Sequence, residues 1–564
     1  MGTLFSTLDI ARSGLSAAQT QVDVAAHNIA NVNTEGYSRQ RAGLAARTPV
    51  EYPFGQMGRG VEITGIERLR DTFLDSVYRQ QAPNLSAATT EVEYYNRIED
   101  LFLEPNENGF STRIGTFFDA LSDFANNPES LPVREAVLAE ADAIASSLKQ
   151  VTSRLDDLRS HANAQIRELV PTINDISDRI ADLNGSIAQM EAGGNAANDL
   201  RDERDRLLDQ LSQYMDVTTQ EHSNGLVDVF VGGEMLVNGV KSNHIAAVRT
   251  ASLDPERDDL VSIQFASNNR PVKIESGELH ALLNVRDTIV PQVDAQLDTI
   301  ASALIQQINS IHSQGHGLQG LSGTVTSSFS VANTSMPMSL EGLPFDISTG
   351  SFEVVVRDSA GTASTSTIFV GILSSIDDVA ASLNGVANLS AAVNADGQLE
   401  ITGDAGYTFS FANDTSNVLV ALGVNGFFSG TDARSIGVNQ ALRDNPSLIT
   451  SAYATDIKET GDNTAALAMA GIRTARVLED GSASINDYYE SSIARLGVNT
   501  KSAIQTRDVE QGFVDNFQRR RLEVSGVSID EEVTTMIQFQ RAFEASSRVI
   551  GIVDNMLETL INAF

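Results

Sequence analysis

The chain has 564 residues, which indicates about three or four domains, and its hydrophobic fraction of 41% is enough to form a sizeable core. Because 39 Lys and Arg stand against 74 Asp and Glu, the formal net charge is −35, and such a surface repels nucleic acid and anionic lipid. The chain contains no cysteine, which excludes disulfides, thiolate nucleophiles and Cys-ligated metal sites.

The start of the chain has none of the features of a cleaved leader. Residues 1–10 lack the basic stretch and the continuous apolar run of a secretory signal. The longest apolar stretches, such as residues 368–373, are far too short to cross a bilayer. If the protein leaves the cell, we expect export without a cleaved signal peptide, and we expect no membrane insertion.

The first predicted element is a helix whose apolar residues recur at alternating spacings of four and three. This spacing places them on one face, as in the seam of a coiled coil. The seam consists of Leu4, Leu8, Ala11, Leu15, Ala18, Val22, Ala25, Ile29 and Val32. We expect Gly36 to end this element in the left-handed conformation.

Long helices are predicted from about residue 91 to residue 215, after a strand that leads into a helix at residues 58–80. Residues 198–212 are dense in charge, and their leucines, together with Met215, follow one helical stripe. A calcium loop would need a glycine at its sixth position, which is absent. We therefore predict a helix with a solvated charged face.

After these helices, the sequence predicts a region of strands and then another helix. Residues 217–274 alternate apolar with polar side chains, which predicts strands joined by tight turns. A helix then begins near Gly277 and is predicted to stop at Gly315. His312 and His316 have a spacing that can ligate zinc, but no Glu lies between them and Gly315 interrupts the helix. We predict solvent-facing capping histidines there, with no metal and no other cofactor.

Residues 321–424 are rich in Ser, Thr, Gly and Val and contain short apolar runs such as residues 352–356. This composition predicts an inserted β-rich outer domain, interrupted by one helix at residues 375–383. A long helix at about residues 485–517 is then expected to pair with the earlier helices.

The C-terminal residues repeat the seam pattern of the N-terminus. Ser528 followed by Glu531 predicts a capping box at the start of a helix. The apolar positions of this second seam are Ile529, Val533, Met536, Phe543, Ile550, Val553, Leu557, Leu560 and Phe564. Since neither helix can cover its stripe alone, we expect the two seams to form an assembly interface. The alternative is that the two ends simply pair within one compact domain.

Both ends of the chain also resemble a known family, that of the flagellar rod, hook and hook-associated proteins. The residues that resemble its N-terminal signature are Asn28, Ile29, Ala30, Asn31, Gly36, Tyr37, Arg39 and Gln40. Residues 525–532 and 540–550 are similar to its C-terminal signature. Residues 198–212 and 461–468 resemble segments of the hook-associated members in particular.

The resemblance implies a nested multidomain axial protein that is mainly α with β-rich parts. Its expected domains are a terminal helical polymerisation domain with coiled-coil-like pairing (residues 1–57 and 525–564), a long-helix body with a small β part near residues 217–274 (58–320 and 425–524), and the inserted β-rich outer domain (321–424). In a purified monomer, we expect residues 1–37 and 528–564 to exchange amide hydrogens almost freely.

The implied function is that of a structural adaptor that joins hook to filament at the hook–filament junction of the extracellular flagellum. It would be exported by the flagellar type III secretion apparatus and assembled by packing of its terminal helices. The implied partners are sister subunits in a tubular assembly, the hook protein, the next hook-associated junction protein, and an export chaperone on the C-terminal helix.

Two alternatives stay open at this point. A hook or distal rod protein would share the terminal signatures, and a secreted surface enzyme or adhesin could bind a ligand through its β-rich insert. The sequence contains no G-x-S-x-G elbow, no Walker loop and no dinucleotide fingerprint in a suitable context, and its seven histidines are scattered. We therefore predict no catalytic residue and no enzymatic activity.

Overall fold

The computed structural model describes residues 2–53, 55–102, 109–249, 260–454 and 461–562. Its α-helices are α1 (Gly2–Ala30), α2 (Thr72–Phe102), α3 (Phe110–Asn126), α4 (Leu131–Glu191), α5 (Asn198–Tyr214), α6 (Glu278–Asn284), α7 (Val290–His312), α8 (Ile376–Leu383), α9 (Val418–Leu422), α10 (Gln440–Asp444), α11 (Thr464–Gly471), α12 (Ile485–Ser525) and α13 (Ile529–Asn562). The prediction of a mainly α protein with β-rich parts is confirmed.

The strands are short and lie between the helices. They are β1 (Gln40–Ala46), β2 (Val50–Tyr52), β3 (Gly55–Met57), β4 (Val61–Arg68), β5 (Val217–Glu221), β6 (Val227–Val231), β7 (Glu234–Asn238), β8 (Lys241–Ser242), β9 (Ile245–Arg249), β10 (Val261–Phe265), β11 (Gly315–His316), β12 (Thr324–Thr326), β13 (Gly350–Arg357), β14 (Ala363–Val370), β15 (Leu389–Val393), β16 (Leu399–Gly403), β17 (Thr408–Ala412), β18 (Phe428–Ser429), β19 (Gly437–Val438) and β20 (Ala452–Tyr453). Within the described ranges, no helix is both long enough and apolar enough to cross a membrane.

The chain forms two compact units. The first consists of Met1–Glu93, His161–Val285 and Lys501–Phe564, and the second of Tyr94–Ser160 and Arg286–Thr500. Three of the four boundaries fall within α2, α4 and α12, so these helices contribute residues to both units, and the fourth falls between α6 and α7. The division into a terminal domain, a body and an insert stays a prediction.

In the first unit, α1 and α13 pack along each other in antiparallel directions. Asn28 Nδ2 donates a hydrogen bond to Glu532 Oε2 at 3.0 Å. Farther along, Gly14 of α1 lies against Ser546 of α13. The opposite side of α1 lies on the β1–β4 ribbon, where Gln21 Nε2 donates to a backbone oxygen of β1 at 2.9 Å. The helix α1 therefore has two packed sides, whereas the sequence pattern predicted one.

The strands predicted at residues 217–274 belong to the same unit. Strands β5 to β8 form an antiparallel sheet, and β9 pairs with β10. The buried Asn184 of α4 connects its helix to the sheet, since its Nδ2 donates to Val227 O at 2.8 Å and to Gly239 O at 2.7 Å. One amide side chain thus donates hydrogen bonds to two backbone carbonyl oxygens at one end of this sheet.

The second unit contains an aromatic core in which helix residues meet the chain that returns from the β-rich insert. Phe117 of α3 is fully buried, and its ring centroid lies 5.9 Å from that of Phe428. The rings of Phe427 and Phe428 contact each other edge to face at 4.9 Å. Without Trp or disulfides, such aromatic pairs supply much of the buried area of this core.

The insert contains two antiparallel sheets, with strand orders β14-β13-β17 and β12-β16-β15. The helix predicted at residues 375–383 is α8, and Ser375 caps it in a capping box with Asp378. Phe352, Phe409 and Phe411 are buried between these elements. The β-rich character of this stretch and its single longer helix are therefore confirmed.

The prediction of solvent-facing histidines at the end of α7 is wrong for His312, which is fully buried. Its Nδ1 donates to Asn425 O at 2.9 Å, and its Nε2 accepts from Thr450 N at 3.2 Å. Both ring nitrogens are occupied, so neither is available to a metal ion in this arrangement. Burial lowers the pKa of His312 to about 4, and the nearby Arg134 guanidinium acts in the same direction.

We predict that this histidine makes the second unit acid-sensitive. Because the folded-state pKa lies below the unfolded value near 6.5, only the unfolded state gains a proton as the pH falls from 6.5 towards 4. Between pH 7.5 and pH 5 the wild type should lose about 2 kcal/mol of stability from this group alone. Hydrogen exchange of the α7 amides would measure that loss.

The matched control is His312→Gln, whose amide retains one donor and one acceptor but does not titrate. Its α7 amides should show a smaller change in opening free energy between the two pH values than those of the wild type. Equal changes in the two proteins would contradict the assignment.

Candidate assembly site

The N-terminal signature is held together by the buried side chain of Asn28, which uses both ends of its amide. Its Nδ2 donates to Gln40 O at 2.9 Å and to Glu532 Oε2 at 3.0 Å. Its Oδ1 accepts from Gln40 N at 3.0 Å and from the Tyr37 hydroxyl at 2.8 Å. One residue therefore joins the end of α1, the following turn, the first strand and α13.

Arg39 makes the second connection between the two ends of the chain. Its Nε donates to Glu532 Oε1 at 2.6 Å, and its Nη1 donates to Glu531 Oε2 at 2.8 Å. Its backbone N–H donates to Ser525 O at 2.9 Å, at the end of α12. Glu531, predicted to form a capping box with Ser528, thus accepts a hydrogen bond from the N-terminal part of the chain.

The turn that contains the signature has the predicted left-handed glycine. Gly36 has a φ of +81°, a region that glycine enters without the steric cost of a Cβ. The helix itself ends at Ala30, earlier than predicted, and residues 31–36 form successive turns.

The charged helix α5 lies directly against this turn. Asp202 accepts from Ser38 N at 2.9 Å and from Ser38 Oγ at 2.7 Å, and it also pairs with Arg68 at 2.7 Å. Asp205 pairs with Arg68 at 2.9 Å and with Arg79 at 3.2 Å. The helix prediction for this stretch is confirmed, but the prediction of a solvated charged face is wrong, because these carboxylates are buried.

The ionic layer continues through Arg70, Asp75, Asp209 and Arg521. Burial alone would raise the pKa of Asp205, but Arg70, Arg79 and Arg68 hold it well below its usual range. At Asp202 burial outweighs the contacts with Arg68 and Ser38, so the pKa is raised. Asp205 is thus the carboxylate whose ionised form the site stabilises most strongly.

We predict that Asp205→Asn destabilises the first unit by about 3–5 kcal/mol, because it leaves buried guanidinium groups without their carboxylate. In the wild type, the ionised Asp205 carboxylate contributes to stability at any pH above its unfolded-state pKa, which is near 4. This contribution is lost as the pH falls through the lower pKa of Asp205 in the folded state. Urea unfolding at pH 7, followed by circular dichroism, would measure the effect.

The control is Glu203→Gln on the same helix, which removes the exposed pair with Arg179 and the pair with Arg206, three residues farther along the helix. We expect a cost of less than about 1 kcal/mol there, as for other surface ion pairs. A similar cost for both variants would show that the Asp205 pairs are no stronger than surface pairs.

The helix α13 has an inner line of residues that face its covered side. They are Glu532, Met536, Phe539, Ser546, Ile550, Val553, Leu557 and Leu560, all buried or half-buried. Near the start of α13 the covered line includes Glu532, whereas the neighbouring predicted seam residue Val533 is exposed in the single chain, and its role in assembly stays a prediction. Ile529 and Phe543 of the predicted seam are also exposed, and Phe564 lies outside the described residues.

On α1 the predicted seam residues are covered within the single chain. Ala11, Ala18 and Ala25 are buried, and the larger seam residues Leu4, Leu8, Leu15, Val22 and Ile29 are half-buried. Val32 lies beyond the end of the helix and is also half-buried. Which of these positions contact neighbouring molecules stays a prediction.

A second apolar stripe of α13 lies about 100° around the helix from the inner line, one residue before the inner positions, and it was not predicted. It consists of Ala542, Ala545, Val549, Ile552 and Met556, again at alternating spacings of three and four. All five are exposed, with Ile552 at 54% and Met556 at 52%. The same periodicity that identified the first seam would have identified this one. We call these five residues the outer stripe.

A cavity of about 390 Å³ opens beside the signature turn. Tyr78, Gln210, Gln518 and Arg521 contribute to its lining. Arg521 is paired with Asp75 and Asp209 there, so its charge is already neutralised. Across the described part of the chain, no group of three or more His, Asp or Glu side chains is placed to hold a metal ion.

Comparisons with known proteins cover most of the chain. Residues 95–325 match the family model of the flagellar hook-associated protein FlgK helical domain. Residues 8–37 match the flagella basal body rod protein model, and residues 518–563 match the flagellar basal body rod FlgEFG protein C-terminal model.

The chain is also similar over its full length to curated relatives called flagellar hook-associated protein 1. The Bacillus subtilis protein is 26% identical over 572 residues, covering 100% of this chain and 99% of the relative. The Salmonella typhimurium and Escherichia coli proteins are each 26% identical, over 99% of both chains. The structure of the flagellar hook junction protein FlgK from Burkholderia pseudomallei shares the fold, with a TM-score of 0.52, 18% identity, and coverage of 80% of this chain and 100% of that one.

Proposed function

The chain belongs to the flagellar hook-associated protein 1 family, and we propose that it joins hook to filament by inserting its α1–α13 pair between the corresponding helices of neighbouring subunits. It is a structural component of the bacterial flagellum that assembles with other axial proteins of that organelle. Its relatives are structural flagellar proteins, and we propose that this chain likewise has no enzymatic activity.

The observation that supports this assembly mode most strongly is the outer stripe of α13. A helix with one apolar stripe can cover that stripe with one neighbouring helix. In α13 the inner line is covered within the chain, but the outer stripe is exposed and needs a further neighbour to cover it. Each large aliphatic side chain that becomes buried adds about 1.5–3 kcal/mol. Val549, Ile552 and Met556 together would therefore contribute several kcal/mol per contact in a tube of sister subunits.

The hydrogen bonds of Asn28 and Arg39 fix the position of α13 relative to α1, and they thereby determine which residues of the two helices face neighbouring subunits. Because Glu532 is bound by both residues, the start of α13 is fixed to the end of α1. The predicted seam residues Ile529, Val533 and Phe543 are also exposed on α13. Ile529 and Val533 lie on the other side of the inner line from the outer stripe, and we propose that they form a second contact surface for neighbouring subunits.

The remaining partners follow from the family. We propose that the two sides of the assembled ring contact the hook protein and the next hook-associated junction protein. An export chaperone would cover α13 before assembly, since an exposed apolar stripe invites aggregation. We propose export through the flagellar type III secretion apparatus, which suits a chain without cysteine because no disulfide has to form at its destination.

We predict that the double substitution Val549→Ser, Ile552→Ser abolishes filament attachment without destabilising the monomer. Both side chains are exposed in the single chain, so their removal should change the free energy of unfolding by less than about 0.5 kcal/mol. Electron microscopy of cells should show hooks that lack filaments, with filament protein released into the medium.

The matched control is Val240→Ser, which changes an equally exposed aliphatic residue between β7 and β8 of the same unit. It should leave filaments and swimming intact. Normal filaments in the double variant would exclude the outer stripe from the assembly, and hookless cells would place the protein earlier in the axial structure than we propose.

We also predict a graded pattern of hydrogen exchange in the purified monomer. The buried connections at Asn28 and Glu532 should protect residues 25–40 and the first turn of α13, contrary to the sequence-based expectation that both ends exchange almost freely. Residues 540–562, with few buried side chains, should exchange much faster than α5. Uniform protection along α13 would show that the helix needs no further neighbour.

A further inference from the structure

The β-rich insert carries an exposed apolar patch that the assembly mode described above does not use. Its members are Leu340, Phe369, Ile372 and Leu373, which are 67%, 79%, 49% and 74% exposed. Four large side chains with this exposure form a patch on the order of a few hundred Å², and patches of that size on single proteins are often functional.

The four residues lie close together although they come from two segments. Ser339 Oγ, next to Leu340, donates to Ile372 O at 2.8 Å. In the same region Met338 N donates to Ser374 O at 3.0 Å. Phe369 is three residues before Ile372, near the end of β14. The two segments are thus hydrogen-bonded to each other, and the patch has a fixed base.

The patch lies at the end of an edge strand. In the described part of the chain, β14 pairs with β13 on one side, and no strand pairs with its other side. The eight residues of β14 include no Lys and no Pro, the residues that commonly protect an edge strand from pairing. Its backbone groups on that side are therefore available to an added strand.

The negative charge of the insert indicates which kind of partner segment it would bind. Residues 321–424 contain ten Asp and Glu, with Arg357 as the one Lys or Arg. Glu341 follows Leu340 directly at the patch, and Asp358 lies in the turn at the opposite end of β14. A second copy of this insert would place acidic groups against acidic groups, whereas a segment carrying Lys or Arg would be attracted.

We propose that the free edge of β14 and its apolar patch bind an extended segment of a partner protein in which apolar residues alternate with Lys or Arg. The segment adds as a strand, its apolar side chains cover Phe369 and Leu373, and its cations face Glu341 beside the patch and Asp358 at the far end of β14. The area is well below the roughly 800 Å² per partner of a standard interface, so binding is weak and salt-sensitive. This inference does not depend on the junction role.

The test uses the full chain and three synthetic peptides in a fluorescence anisotropy titration. The first alternates Lys and Val with one central Phe, the second has Glu in place of Lys, and the third has Pro at the centre of the first. The wild type should bind the first peptide at least tenfold more tightly than the other two. Phe369→Ser and Leu373→Ser should each weaken that binding about tenfold, because each removes an apolar side chain that the peptide covers. Both residues are exposed, so we expect both variants to fold like the wild type.

Phe73→Ser, which changes an equally exposed phenylalanine of the first unit, is the control and should bind the first peptide like the wild type. Equal binding of the Pro-containing peptide would exclude strand addition, and equal binding by Phe369→Ser would exclude the patch. If the wild-type chain self-associates in ultracentrifugation and Phe369→Ser does not, the occupant is a second copy and the proposal is wrong.

Discussion

The position of one carboxylate, that of Glu532, constrains the way in which the two ends of this chain meet. Among the described residues of α13, Glu532 and Val553 are the two buried ones, each 2% exposed, so one of the two most enclosed side chains of this helix is a carboxylate. A buried carboxylate is tolerated when hydrogen bonds and a cation replace its water. Asn28 and Arg39, both in the N-terminal signature, provide those contacts.

The connection extends from the chain ends into the body of the first unit through alternating charges. Ser38 and Gln40, next to Arg39 in sequence, bind Asp202 and Asp199 of α5. Since ion pairs and hydrogen bonds are more directional than apolar contacts, this layer specifies one arrangement of the signature turn. The apolar residues between α1 and α13 contribute buried area, and the polar layer determines the register in which the two helices pack.

The sequence predicted the elements of the fold better than it predicted their environments. Helical periodicity identified α1, α5 and α13 because a repeated spacing is a property of the segment itself. Whether a charged residue is solvated depends on distant residues, and Arg68 and Arg79 are far from Asp205 in sequence. The same limitation placed His312 on the surface, since Asn425 and Thr450, which enclose it, lie more than a hundred residues away.

The differences between the predicted C-terminal seam and the covered line of α13 have a related cause, and they bear on the proposed assembly mode. A search for apolar residues passes over Glu532, although its neutralised carboxylate occupies the covered line, and it selects Val533, which faces outward. Once the line is corrected, the remaining apolar residues of α13 fall on another side of the helix. With a net charge of −35, separate subunits repel one another at long range. In the proposed assembly, short-range apolar contacts on the outer stripe would have to overcome that repulsion, so they would act only between subunits that are already held side by side.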